Sequence, residues 1–432
     1  MNTITILVLA VSFFLFLLTG VPISFAIGLS AFLSLVVTLP ADIAAQVLSQ
    51  KILTALDNFG LLAIPLFILA GNIMNQGGIA LKLITLAKLV MGRFPGALAH
   101  CNILANMMFG AVSGSAVSSA AAVGEIMLPL QRKEGYDDGF ATAVNVASAP
   151  TGLLIPPSGA LILFSLVSGG TSVAALFLAG YVPGFLMGLG LMLVAAWRAH
   201  QQNYPTYPRT TWKELAAALR DAAPSLFMIV VVIGGILLGY FTASEASAVA
   251  VLYALILALY YGEVRPKDIP NLFLGSTVTT SIVLFLVGGS VAMSWVFSAA
   301  NIPELVVSAL SGVSDNPMVI LLLINLLLLL SGTFLDLTPA LLIFTPLFLP
   351  IVDSFGVSPV HFGIVMVMNL CIGTCTPPVG SLLFVGSSVS GVEIPRIVKH
   401  LLPMYVVLIG VLVLVSLVPE ISLFLPRMMG LL

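Results

Sequence analysis

The chain has 432 residues, 60% of them hydrophobic and 7% charged, with 15 Lys and Arg against 17 Asp and Glu and a net charge of −2. Soluble domains carry roughly 25% charged residues. A soluble enzyme, a nucleic-acid binder with a basic face and a disordered chain are therefore excluded.

Mean hydropathy is +1.18. At about 20 apolar residues per crossing, the length leaves room for roughly eleven or twelve membrane helices. The class expected is an all-α, polytopic membrane protein. The apolar runs are continuous, as in Ile6 to Leu18 and Met318 to Leu330, rather than the short alternating segments of a β-barrel. The first run lacks a basic start and an A-x-A cleavage site, so it reads as a membrane helix rather than a removable signal. It ends at Gly20-Val21-Pro22, and a second run fills Ile23 to Leu39. A polar stretch, Ala41 to Phe59, precedes the apolar Leu61 to Met74 and a basic amphipathic piece with Lys82, Lys88 and Arg93. From His100 to Leu130 the chain turns rich in Ser, Gly and Ala. A charged turn, QRKEGYDDG, leads to a helix from Phe140, which meets a Pro/Gly break, Ser148 to Gly159. After Trp197, Arg198 to Pro224 reads as one long polar loop.

The second half repeats the first. Gly20 pairs with Gly239, Leu66-Phe67 with Leu284-Phe285, Gly71 with Gly289 and Ser113-Gly114-Ser115 with Ser331-Gly332-Thr333. Farther on, Leu128-Pro129 pairs with Leu349-Pro350, Gly139 and Asn145 with Gly363 and Asn369, Ile155-Pro156-Pro157 with Thr376-Pro377-Pro378, and Val167 to Gly169 with Val389 to Gly391. All offsets fall between 218 and 224, which marks an internal duplication. The units expected are 1–197, a cytoplasmic linker 198–223, and 224–432. Lys82, Lys88 and Arg93 face the counterpart Asn301 to Asn316, which holds Glu304, Asp315 and no base. Basic segments stay in the cytoplasm, so the repeats are expected to be inverted. The central loop, with Arg198, Arg209, Lys213 and Arg220 against Glu214 and Asp221, is placed in the cytoplasm.

Each half carries two helix breakers: Val112 to Ser119 and Ser148 to Gly159, then Leu330 to Pro339 and Gly373 to Gly380. Pro-Pro opens a helix, and open backbone at membrane depth survives only where protein or a watery cavity surrounds it. Freed carbonyls with Ser and Thr hydroxyls offer a hard-oxygen cage to a small cation. Freed N–H groups at half-helix starts favour an anion. Two symmetric pairs point to two cation sites flanking one substrate site. Ser118, Ser119, Ala120 and Ala121 read as small packing residues, and Thr338-Pro339 as a cap followed by proline. Asp336 is the only charge between Asp315 and Asp353. An embedded carboxylate costs about 2.5–3.5 kcal/mol, so ion binding or field shaping is expected there, with a helix-start carboxylate as the plainer reading. Glu125 and Glu245 are the other embedded acids, and Asn145 and Asn369 are expected to hold the broken helices open.

Enzyme readings find little support. No P-loop motif occurs, Ser115 has no evident His base, and Cys101, Cys371 and Cys375 form neither a disulfide framework nor a zinc set with the scattered histidines. A passive channel and a membrane enzyme using Ser115 or Asp336 are the alternatives to coupled transport.

FGAVSGSAVSSAAAVGEIMLP, ASAPTGLLIPPSG, SGTFLDLTPALLIFTPLFLPI and NLCIGTCTPPVGSLLF resemble the large membrane subunit of tripartite ATP-independent periplasmic (TRAP) transporters, in that family's order and over the whole chain. The resemblance implies an elevator-type secondary transporter of the bacterial inner membrane, with two re-entrant hairpins and broken helices. It implies a small four-helix membrane subunit, a periplasmic substrate-binding protein, and sodium-driven import of an organic acid of the sialic acid or C4-dicarboxylate type. Carried over, the hairpin tips are Ser113, Gly114 and Ser115, and Ser331, Gly332 and Thr333 with Asp336. Sodium is implied at Ser113, Ser115, Asn145, Ser148, Pro150 and Gly152 in one half. In the other half it is implied at Gly332, Thr333, Asp336, Gly373, Thr374 and Thr376. The unwound stretches are Ser148 to Gly152 and Gly373 to Thr376.

Overall fold

The computed structural model describes residues 2–206, 211–314 and 316–432; the expectations placed on Arg209 and Asp315 lie outside them. Among the described residues the structure is helical and holds no strand. The first half runs α1 (Asn2–Leu18), α2 (Ile23–Val36), α3 (Ala41–Leu56), α4 (Ala63–Gln76), α5 (Ile79–Met91), α6 (Ala97–Ser113), α7 (Ala116–Lys133), α8 (Asp138–Ser148), α9 (Gly159–Val167) and α10 (Val173–Gln202). The second runs α11 (Trp212–Leu237), α12 (Ala243–Tyr261), α13 (Ile269–Ala299), α14 (Ile302–Ser311), α15 (Pro317–Gly332), α16 (Leu337–Ser354), α17 (Pro359–Gly373), α18 (Ser381–Ser390) and α19 (Ile394–Leu417). A short α20 (Glu420–Met428) follows.

Among the described residues, seven helical stretches are long and apolar enough to cross a membrane, fewer than the eleven or twelve expected from length. The difference is physical. The remaining apolar residues sit in shorter pieces such as α6, α15, α17 and α18, because Gly, Ser and Pro cut the runs before they reach spanning length.

Packing relates the halves. α2 packs on α13 and α12 on α4; α9 packs on α16 and α18 on α7; α10 packs on α17 and α19 on α8. Each contact has a mate with the halves exchanged, which is what a two-fold relation between repeats produces. One difference between the halves lies ahead of α4. Asn58 caps a tight turn, Phe59–Leu62, between α3 and α4, accepting from the Gly60 N–H at 2.8 Å, whereas α13 runs through without a break.

The polar segment 198–223 is mostly helix. Arg198 to Gln202 belong to α10, and α11 starts at Trp212 behind a capping box in which Thr211 and Glu214 satisfy each other's backbone N–H groups. The charges described there lie on the end of α10 and the first turns of α11. Glu245, expected inside the membrane, does the same work: it closes a capping box with Thr242 at 2.8 Å and is exposed. The charged turn between α7 and α8 ties the halves together. Asp137 caps α8 through the Phe140 N–H at 2.9 Å and pairs with Arg396 at 2.6 Å and His400 at 3.1 Å on α19.

Candidate functional site

The first hairpin turns at three residues. α6 ends at Ser113, Gly114 takes a left-handed φ of 63°, and Ser115 is extended and accepts from the Ser118 N–H at 3.2 Å to cap α7. Only glycine adopts that φ cheaply, and the serine satisfies one of the four free donors of the new helix. In the second hairpin, α15 ends at Gly332 and α16 begins at Leu337. The cap position belongs to Asp336 and not to Thr338; Pro339 sits in the first turn, where its missing N–H costs nothing. The Asp336 carboxylate caps no backbone group and instead accepts from the Ser381 hydroxyl at 2.9 Å, at the start of α18. A helix-start carboxylate held by N–H groups is therefore not what is found.

Opposite each hairpin lies a broken helix. In the first half, Ala149–Leu153 is a tightened 3₁₀ turn, so the break sits just beyond the Ser148 to Gly152 expected from resemblance; α9 restarts at Gly159, capped by Ser158. Pro150 opens that turn without ending it. In the second half, α17 ends at Gly373 and the chain is non-helical through Thr374 and Thr376 to Gly380. Both Pro-Pro bonds in these stretches are cis.

Hairpin and broken helix touch through glycine in each half. A Cβ on Gly110 would lie 2.9 Å from the Gly152 Cα, and one on Gly373 would lie 2.7 Å from the Gly332 Cα. Asparagines lie one or two turns away. Asn106 donates to the Asn145 side-chain oxygen at 3.0 Å and to the Ser148 hydroxyl at 2.9 Å, and Asn145 donates to the Ala120 carbonyl at 2.7 Å. Asn369 donates to the Asn325 carbonyl at 2.8 Å. The two expected asparagines make hydrogen bonds to backbone carbonyls of the hairpin helices α7 and α15, and so bind the broken helices to the hairpins.

Ser113, Gly114, Ser115, Asp336 and Thr374 line one cavity of about 430 Å³. Asn145, Ser148, Pro150 and Gly152 are fully buried outside its lining. Gly332 is buried against Gly373, while the Thr333 carbonyl accepts from the Val379 and Gly380 N–H groups at 3.3 and 3.4 Å. Ser331 stands apart, its hydroxyl donating to the Leu327 carbonyl at 2.8 Å. The Ser148, Thr333, Thr374 and Thr376 hydroxyls each donate to a carbonyl one turn back, at 2.6 to 2.8 Å. A hydroxyl whose proton is so committed can only accept, as Ser148 does from Asn106. Of these hydroxyls only Thr374 lines the cavity, together with Asp336, its only carboxylate among the described residues; hydroxyl, carbonyl and carboxylate oxygens are the ligand types that suit a hard cation such as sodium. Neither Glu125 nor Glu245 reaches the cavity, and Ser118, read as packing, does line it.

The cavity has no Lys, Arg or His in its lining. The starts of α7, α9, α16 and α18 open on it instead, through Ala116, Gly159, Leu337 and Ser381. Helix starts carry positive partial charge and free N–H groups, so the site can hold an anion without a basic side chain. Asn72 on α4 and Thr279 on α13 complete the wall; neither stands out in the sequence. Asn106 and Asn325 were also missed, although their spacing of 219 lies within the repeat offsets.

The sequence matches the family described as the tripartite ATP-independent periplasmic transporter, DctM component, over residues 10–421. It is 57% identical to the uncharacterized protein YgiK of Salmonella typhimurium (strain LT2), over 98% of this chain and 97% of that one. It is 37% identical to the sialic acid TRAP transporter large permease protein SiaM of Vibrio cholerae, over 95% and 96% of the two chains. The fold matches the solved Alcanivorax borkumensis YdaH transporter with a TM-score of 0.65 at 16% identity, over 88% of this chain and 89% of that one.

Proposed function

The chain belongs to the DctM family of tripartite ATP-independent periplasmic transporter components, and from that premise we propose that it moves an organic anion across the bacterial inner membrane by sodium-coupled secondary transport. It is a multi-pass membrane permease subunit and not an enzyme; Ser115, weighed as a nucleophile, caps a helix. Membership implies two partners, a small membrane subunit and a periplasmic binding protein that delivers the acid.

The observation that carries the reading is the cavity itself. The first hairpin tip, Asp336 of the second hairpin and four helix starts, two from each repeat, meet on one space whose lining contains no basic side chain among the described residues. Anion held by helix starts, and cation by opened backbone, is the arrangement of repeat-built transporters. Sodium is assigned to the oxygen sets on either side: Ser113, Ser115, Asn145, Ser148, Pro150 and Gly152, and Gly332, Thr333, Asp336, Gly373, Thr374 and Thr376. The cation supplies the positive charge that draws the anion in; these residues hold and orient it. The repeats are taken as 1–197 and 224–432, inverted across the membrane around 198–223, with the hairpin-bearing body moving as an elevator. A sialic acid type of substrate is favoured, as SiaM is described.

The test is reconstitution in proteoliposomes with the small subunit and a loaded binding protein. Accumulation against a gradient, abolished without sodium or without the binding protein, is expected. Uptake that only equilibrates, with or without sodium, would replace coupled transport by a passive channel.

A further inference from the structure

The cavity wall contributed by α4 and α13 is chemically unlike the wall made by the hairpin tips. Ile64, Phe67, Ile68 and Val283 make it apolar, and Asn72 and Thr279 are its polar groups. α4 begins beside it at Ala63, but there it continues the Phe59–Leu62 turn, the Ala63 N–H bonding to the Gly60 and Leu61 carbonyls, and no charged side chain lies in the wall. Asn72 is held in a defined orientation. Its Nδ2 donates to the Ser276 hydroxyl at 2.8 Å, and that hydroxyl donates its own proton to the Leu272 carbonyl at 2.8 Å. Ser276, buried to 4% exposure, can therefore only accept from Asn72. With that proton on the Leu272 carbonyl, it is the amide nitrogen rather than the oxygen that faces Ser276. The amide's second N–H and its carbonyl oxygen remain for whatever fills the cavity.

One donor and one acceptor, fixed on an apolar wall, suit a neutral group that both gives and takes a hydrogen bond, such as a hydroxyl or an amide. They do not suit a carboxylate. A carboxylate would meet the Asn72 oxygen with no proton to offer, and would be desolvated without a cation on that wall. Resting on the reading of this cavity as the substrate site, we propose that Asn72, fixed by Ser276, selects the neutral end of the substrate. The acid carried then has one anionic group and a hydroxyl- or amide-bearing body, rather than two carboxylates.

The experiment uses this chain purified with its small subunit, in sodium and without the binding protein, so that capture by the binding protein does not impose the selection. Thermal stabilisation is titrated with gluconate and N-acetylneuraminate as single-anion hydroxy acids, with hexanoate lacking the hydroxyls, and with succinate as a dicarboxylate. The hydroxy acids are expected to stabilise the wild type at concentrations about tenfold below succinate, a difference of one or two hydrogen bonds. Asn72→Leu should raise the gluconate concentration required by about tenfold while leaving that of hexanoate unchanged. A merely structural role would shift both acids or the ligand-free melting temperature alike. Ser276→Thr, which keeps the hydroxyl, should restore wild-type behaviour where Ser276→Ala does not. Preference for succinate, or an Asn72→Leu variant that binds gluconate normally, overturns this inference and leaves the cavity reading intact. Equal stabilisation by all acids in a variant whose cavity is filled by Ser118→Trp, or stabilisation by none in the wild type, overturns the cavity reading and this inference with it.

Discussion

Gly332 and Gly373 press backbone against backbone, with a Cβ on Gly373 reaching to 2.7 Å of the Gly332 Cα, and Gly110 repeats the contact on Gly152 in the other half. No side chain fits between hairpin and broken helix at either place. Gly373→Ala should therefore separate the two and cost about 1–3 kcal/mol, as overpacking does. Gly410 of α19 is the control, since nothing lies within 4 Å of its added Cβ. Gly410→Ala should be neutral or stabilising by up to about 1 kcal/mol through helix propensity. Melting temperature and uptake of both variants check this. Equal behaviour of the two would mean the glycine contact yields freely.

The asparagine pairs make a second prediction. Asn106 and Asn145 are both fully buried and joined at 3.0 Å. Removing either leaves buried polar groups of the other unpaired, at about 1–3 kcal/mol. Asn106→Ala and Asn145→Ala should each destabilise, and the double variant should lose less than the sum by about 0.5–3 kcal/mol. A strictly additive double variant would count against a shared network.

Much of this was legible in the chain because glycine, serine and proline punctuate an apolar sequence. The hairpin tip at Gly114 and the restart near Pro156-Pro157 announce themselves, since a left-handed φ and a missing N–H leave few residue choices. The four helix starts follow from the same breakers. Asn72 was not legible: a single amide in an apolar helix has no period, and its meaning comes from Ser276, 204 residues away. Thr338-Pro339 misled because it has the composition of a helix start, while the chain turned two residues earlier at Asp336. The 198–223 segment misled because its described charges lie on helices, Arg198 on α10 and Lys213, Glu214, Arg220 and Asp221 on α11.

Acid should loosen the tie between the halves at Asp137. Partial burial pushes the Asp137 carboxyl up, but the Phe140 N–H, Arg396 and His400 outweigh it and hold it below its ordinary value of 3.8. A carboxyl lowered in the folded state contributes stability above its ordinary range, and that contribution is lost as pH falls through the lowered value. Asp137 is 37% and Arg396 54% exposed, so the contribution is small, below about 1 kcal/mol. Asp137→Asn keeps a good cap and removes the charge. Its melting temperature should lie slightly below wild type near neutral pH, and the gap should close as pH falls below the ordinary carboxyl value of 3.8. A gap that persists unchanged at low pH would assign the effect to packing.

The last prediction concerns coupling at the hairpin tips. Asp336 makes no capping bond, so its charge can be removed without unravelling α16. Asp336→Asn keeps an acceptor for the Ser381 hydroxyl, now 2.9 Å away, and deletes only the charge. If that charge favours a cation in the neighbouring oxygen set, losing it should weaken sodium by about 1.5–3 kcal/mol, or roughly ten- to hundredfold. Ser115 needs more care, because its oxygen also caps α7 at 3.2 Å. Ser115→Ala removes both ligand and cap, the cap alone being worth about 1 kcal/mol. Ser115→Thr keeps an oxygen for each role and should restore both. Uptake measured against sodium concentration, with melting temperature alongside, separates the cases. A shifted sodium dependence at unchanged stability in Asp336→Asn identifies a coupling residue. Normal uptake with unchanged sodium dependence would remove Asp336 from the coupling path and leave its bond to Ser381 as a structural link between hairpin and broken helix.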